Sequence, residues 1–182
     1  MSDHERSPAP TAGGREVPMP PGIRTADEAR MLSDMLEWYR AAVLRKVAGV
    51  SAEAASASLV QSATTIAGLV KHLALVEDSW FTTRFAGGPE PEPWASAPWD
   101  DDRDWEFHTA PGEPMASLVE LYAQACERSR RAAAGHELDD RAVDTFREFT
   151  LRFAYLHLIE ETARHVGHID ILRELQDGTI GE

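Results

Sequence analysis

Four stretches of this chain carry apolar residues at helical spacing, and none shows the strict alternation of a half-buried strand, so the core has to be built helix against helix. In the first, Leu32, Met35, Leu36, Tyr39 and Val43 share one face. In the second, Ile66, Leu69, Val70, Leu73, Trp80 and Phe81 form a stripe, and in the third Leu118, Leu121, Tyr122 and Ala125 do the same. The fourth runs from about Thr150 to Gln176. Punctuation agrees with these limits. Thr25-x-x-Glu28 reads as a capping box that opens the first helix, and Gly49 closes it. The second extends from about Thr64 to Arg84, where Gly87-Gly88-Pro89 stops it. Pro114 suits the first turn of the third, which runs towards Gly135, and Gly178 is placed to cap the fourth in the left-handed conformation. The expected fold is all-α, a four-helix bundle.

A chain of 182 residues can bury one proper core and is short for two, so a single domain is expected over residues 25–182. Residues 1–24 hold five prolines and an adjacent glycine pair with almost no apolar periodicity, which predicts a disordered tail, draped on the domain near Val17 to Ile23 at most. The formal charge of -13 repels phosphate backbones and anionic headgroups, so nucleic acid and acidic membranes are excluded as partners. No membrane span or apolar signal core is visible, and the expected location is cytoplasmic. The one cysteine, Cys126, lies in the apolar frame of the third helix and is read as packing rather than as a nucleophile.

The connection between the second and third helices, residues 86–113, is too long for an ordinary interhelical loop. It holds five prolines, three tryptophans (Trp94, Trp99, Trp105) and eight acidic residues against Arg103 alone. The expectation is that these tryptophans pack across the outside of the bundle, in preference to forming a substrate lid.

The chemistry is concentrated on the last helix. His157, Glu161, His165 and His168 fall within an arc of roughly 80° on an otherwise apolar face, and Glu161 and His165, four apart, have Cβ atoms about 5–6 Å from one another. A metal inside a bundle needs ligands from two facing helices, and His72 on the second helix is the available complement. Two imidazoles and a carboxylate are a ligand set of catalytic zinc and suit other divalent first-row ions. The competing reading is that these histidines are satisfied core residues with no metal. No His-Glu-x-x-His motif is present, and no Glu-x-x-His pairs of a di-iron bundle. Two further polar residues need an account. Glu77, inside the apolar stripe of the second helix, should be buried with a partner or a task. Arg164, at the edge of the inward arc, wants a carboxylate from Glu77 or Glu160, with the clamping of a substrate carboxylate as its functional alternative.

Two segments carry a resemblance: Leu69-Val70-Lys71-His72-Leu73-Ala74-x-Val76-Glu77-x-x-Trp80-Phe81, and Glu161-Thr162-Ala163-Arg164-His165-Val166-Gly167-His168-Ile169-Asp170-Ile171-Leu172-Arg173-Glu174. They resemble the signature helices of the DinB-like superfamily, most of all an actinobacterial branch of mini-circle-protein-like members. The chain is also similar to the metal-binding domain of mycothiol-dependent maleylpyruvate isomerase. The resemblance extends over roughly residues 25 to 178. It implies a divalent metal, zinc first and nickel second, on His72, Glu161 and His165, with His157 and His168 as rivals or neighbours of the ligands. It also implies a small thiol such as mycothiol as co-substrate, an electrophile to receive it, and pairing into homodimers. The function so implied is metal-dependent thiol transfer or isomerisation, with His168 or His157 shuttling the proton and Arg164 binding the co-substrate; the alternative is a non-catalytic metal-binding protein of stress response or assembly.

Overall fold

The computed structural model describes residues 18–144 and 147–181. The protein is all-α, with no strand among the described residues and one isolated bridge between Arg141 and Thr150. Helix α1 spans Glu28–Val47, α2 Ala52–Ser56, α3 Ile66–Glu77, α4 Trp105–Thr109, α5 Met115–Ala133 and α6 Leu151–Asp177. The short α2 and α4 have no periodic signal of their own and were not expected. The four long segments fall where the apolar stripes put them, and their ends have local causes. Thr65 and Thr150 accept from the backbone N–H three residues on, satisfying an otherwise unpaired donor at the starts of α3 and α6. Gly178, at φ 74°, ends α6 as the left-handed cap.

One detail of the expected boundaries is corrected. Helix α1 is capped by Asp27, whose carboxylate accepts from Arg30 N at 2.9 Å, and not by Thr25, whose hydroxyl donates back to the Gly22 carbonyl. Asp27 stands one residue before the helix, so it takes the capping position that the Thr25 box would need. Of the expected tail, residues 1–17 lie outside the described residues. Of the rest, Ile23, at the end of the stretch expected to drape on the domain, is 3% exposed in the 3-10 turn Ile23–Thr25.

Helix α3 does not stop at Glu77 but loosens into a π-helical stretch, Asp78–Phe85, in which Ala86 N–H donates to the carbonyl of Phe81, five residues back, at 3.0 Å. Helix α1 packs along α6, α3 against α5 and α6, and the π-helical stretch against α5. One apolar cluster gathers Val43, Val70, Leu73, Tyr122 and Ile169; a second gathers Leu36, Phe81, Phe85 and Leu158. An ion pair is buried with them. Arg40 on α1 donates from Nε and Nη2 to the two carboxylate oxygens of Glu77, at 2.7 and 2.5 Å. Burial alone would weaken the Arg40 charge, but the Glu77 carboxylate overrides it and holds the guanidinium pKa above its ordinary value.

Cys126 is buried in this core, and burial, reinforced by the Glu77 charge, pushes its thiol pKa far up. Its expected behaviour is inertness: native protein should show no titratable thiol with a chromogenic disulfide reagent near neutral pH, and one thiol per chain in denaturant. Fast native labelling would contradict that packing.

The tryptophan-rich connection is not draped over the outside. Trp94 is fully buried, and its Nε1 donates to Asp78 at 2.9 Å. Asp78 accepts in addition from Nε and Nη2 of Arg128, at 2.7 and 2.8 Å. Trp99 donates to the Trp94 carbonyl at 3.0 Å. Lys71, 1% exposed, lies 3.9 Å from the centre of the Trp105 ring and donates to Thr109 Oγ1 and Glu113 Oε1 at 2.6 and 2.5 Å. A buried indole N–H needs an acceptor, and Asp78 in the π-helical stretch supplies one inside the core. That is why this connection sinks in.

Candidate functional site

The α3·α6 contact brings His72 face to edge with His165, ring centres 5.0 Å apart and planes at 82°. One turn earlier on α6, Glu161 puts Oε2 3.2 Å from His165 Nε2. His72, Glu161 and His165 each offer an atom to one locus, with these atoms all within 4.8 Å of one another. Two ligands about 2.0–2.1 Å from one tetrahedral ion stand roughly 3.3 Å apart, so the Glu161–His165 edge already has that spacing and the other edges lie within 4.8 Å. Burial, and next the neighbouring His72, lower the His165 pKa to about 4. At neutral pH its imidazole is therefore uncharged, the form in which a ring nitrogen can bind a cation.

His72 is held from its other side. Its Nδ1 lies 2.9 Å from Oε1 of Glu106 on α4, and its ring stacks on Phe107, centres 5.0 Å apart. Glu106 is 4% exposed. Sequence reasoning missed it, since it is one of eight acidic residues in a connection with no periodicity to single it out. The approach of α4 also depends on Gly68: a Cβ there would lie 2.8 Å from Phe107 Cδ1. A glycine inside a helix costs about 0.5–1 kcal/mol relative to alanine, and here it makes room for the residue that covers His72.

The remaining candidates separate. His168 is exposed, its Nδ1 3.2 Å from that of His165, and it lines a cleft of about 250 Å³ with Val60, Ser62, Thr64, Ile171 and Leu172. His157 lies against Trp80 and Phe153, ring centres 4.3 and 6.0 Å away, and is not in the ligand cluster; burial lowers its pKa. Arg164 is half-exposed and paired with Glu160, with Glu161 Oε1 at 3.6 Å. The expectation that Glu77 could be its partner is corrected: Glu77 faces α1 and is taken by Arg40.

Among the described residues no helix is long and apolar enough to cross a membrane. A search of curated proteins finds no match. A family model described as mycothiol-S-transferase matches residues 31–178, a span that starts within α1, ends just past α6, and includes His72, Glu106, Glu161 and His165. With most of its length in that match, the chain belongs to the mycothiol S-transferase family, a DinB-like family.

Proposed function

We propose that this protein is a metal-dependent transferase in which His72, Glu161 and His165 hold a divalent ion and a mycothiol-type thiol is activated for transfer to an electrophile. The observation that carries the reading is the convergence of two imidazoles and a carboxylate from α3 and α6 on one locus, in a chain of this family. The donor chemistry fits: two histidines and a glutamate are a set that catalytic zinc uses, with a fourth position left for water or substrate. When bound, such an ion supplies the charge that removes a thiol proton near neutral pH, without a basic side chain.

The chain's own residues would do the rest. Glu161 brings a negative charge to the ligand set and tempers the acidity of the site relative to three imidazoles. His168, exposed, lining the cleft and 3.2 Å through Nδ1 from Nδ1 of His165, is the candidate to relay the thiol proton to solvent. Arg164, half-exposed beside Glu161, is placed to meet a carboxylate on an incoming substrate, at the cost of its bond to Glu160. His157, packed among aromatic rings, is a lesser candidate for proton transfer.

Titration of the cobalt-substituted protein with small thiols tests the proposal. The expected result is a thiolate-to-cobalt charge-transfer band that saturates with mycothiol-type thiols and is absent with their S-methyl ethers. A cobalt protein whose spectrum ignores every thiol would leave the non-catalytic metal-binding reading in its place.

A further inference from the structure

Outside the ligand cluster, α4 holds a residue that the match to the family does not explain. We infer that Glu106 is the positioning residue of the site: it fixes the tautomer and the ring orientation of His72, so that Nε2 is the nitrogen presented to Glu161 and His165. This deepens the proposed function and rests on it for the metal, though not for the orientation.

The argument starts from what each atom can do. A carboxylate oxygen only accepts, so the 2.9 Å contact between Glu106 Oε1 and His72 Nδ1 places the ring proton on Nδ1. The lone pair is then on Nε2. Phe107 stacks on the same ring with planes at 28°, so neighbouring residues of α4 set both its rotation and its tilt. Helix α4 is itself pinned to α3. Lys71, adjacent to His72, donates to Thr109, the last residue of α4, and to Glu113 beyond it, and lies under Trp105 at the start of α4. Gly68, one turn earlier on α3, allows Phe107 its approach. Glu106 Oε2 is buried and has no hydrogen-bond partner. An unsatisfied carboxylate oxygen costs free energy, so a merely structural role is a poor account of a glutamate at this position. Histidines that bind metals commonly give their second ring N–H to a carboxylate, and loss of that partner typically lowers metal affinity about 10–100-fold. The long connection thus acts as an arm that delivers an orienting carboxylate, in place of a cover over the site.

The test uses the full chain and its Glu106→Ala, Glu106→Gln and Gly68→Ala variants. Nitrogen-detected NMR of the metal-free proteins reads the His72 tautomer directly; the expected outcome is Nδ1–H in the parent and in Glu106→Gln, whose amide oxygen can still accept, and loss of that preference in Glu106→Ala. Competition with a chromophoric chelator for zinc should show affinity reduced about 10–100-fold in Glu106→Ala, less in Glu106→Gln, and reduced in Gly68→Ala, which alters neither partner but displaces Phe107. Thermal melts in chelator guard against a folding artefact, with Glu106→Gln as the near-isosteric variant. A parent His72 protonated at Nε2, or a folded Glu106→Ala protein with the parent's zinc affinity, would overturn the inference. The two readings fail separately: a parent that takes up no zinc removes the metal reading, whereas the tautomer of the metal-free protein decides the role of Glu106 alone.

Discussion

His165→Ala is expected to purify without metal and to bind zinc with an affinity reduced by more than the ~100-fold that loss of an orienting neighbour costs. His165 is the residue on which the proposed site turns. Its Nε2 makes the 3.2 Å edge with Glu161, its ring abuts His72, and its Nδ1 meets His168. Truncation leaves His72 and Glu161 on different helices with nothing between them, and two ligands rarely hold a divalent ion against solvent. His72→Ala should behave alike. His157→Ala should keep full occupancy, because its ring is spent on Trp80 and Phe153. Elemental analysis of proteins prepared without a histidine tag is the measurement. Full metal content in His165→Ala would overturn the ligand assignment, and a metal-free parent would return all these histidines to ordinary core packing.

Glu77→Ala is expected to destabilise the fold by about 3–5 kcal/mol, the range for removing one partner of a buried ion pair. For a chain of this size that is a fall in melting temperature of roughly 6–20 °C. The reason is asymmetry. Arg40 is 4% exposed and cannot lose its proton, so without Glu77 a fixed charge is left in the core with only Glu37, 2.7 Å from Nη1, to oppose it. Ser129 would keep its bond, since it is the Glu77 backbone carbonyl that accepts it. Replacing both partners, Arg40→Met with Glu77→Leu, should recover most of the loss, because the charges then leave together. Removal of the exposed Arg30–Asp34 pair should cost less than about 1 kcal/mol. Chemical denaturation of the parent and these three variants reads all of this, and a Glu77→Ala protein as stable as the parent would contradict the pairing.

Much of the architecture was legible in the one-dimensional pattern. Apolar residues at three- and four-residue intervals located the four long helices, because each must turn a continuous stripe inward. Thr150 and Gly178 bracketed α6, because the ends of a helix have chemical needs that few side chains meet. The same periodicity put Glu161 and His165 on one face, since neighbours four apart on a helix are neighbours in space. Glu77 was recognisable as a buried charge in need of a partner or a task, but its partner was not, since Arg40 lies on another helix and only packing brings the two together.

What periodicity could not carry was everything that depends on which surfaces meet. Local spacing holds nothing about the crossing of α3 and α6, so His72 could be offered as a complement from the facing helix, but only the tertiary structure brings it to Glu161 and His165. The connection of residues 86–113 has no period at all, and its place was decided by partners far along the chain: Asp78 for the Trp94 indole, Lys71 for Trp105 and Glu113. For the same reason Glu106 was invisible among eight acidic residues. Helical spacing is a property of the chain's own backbone, whereas a bond from a loop carboxylate to a histidine 34 residues away exists only once the intervening structure has closed.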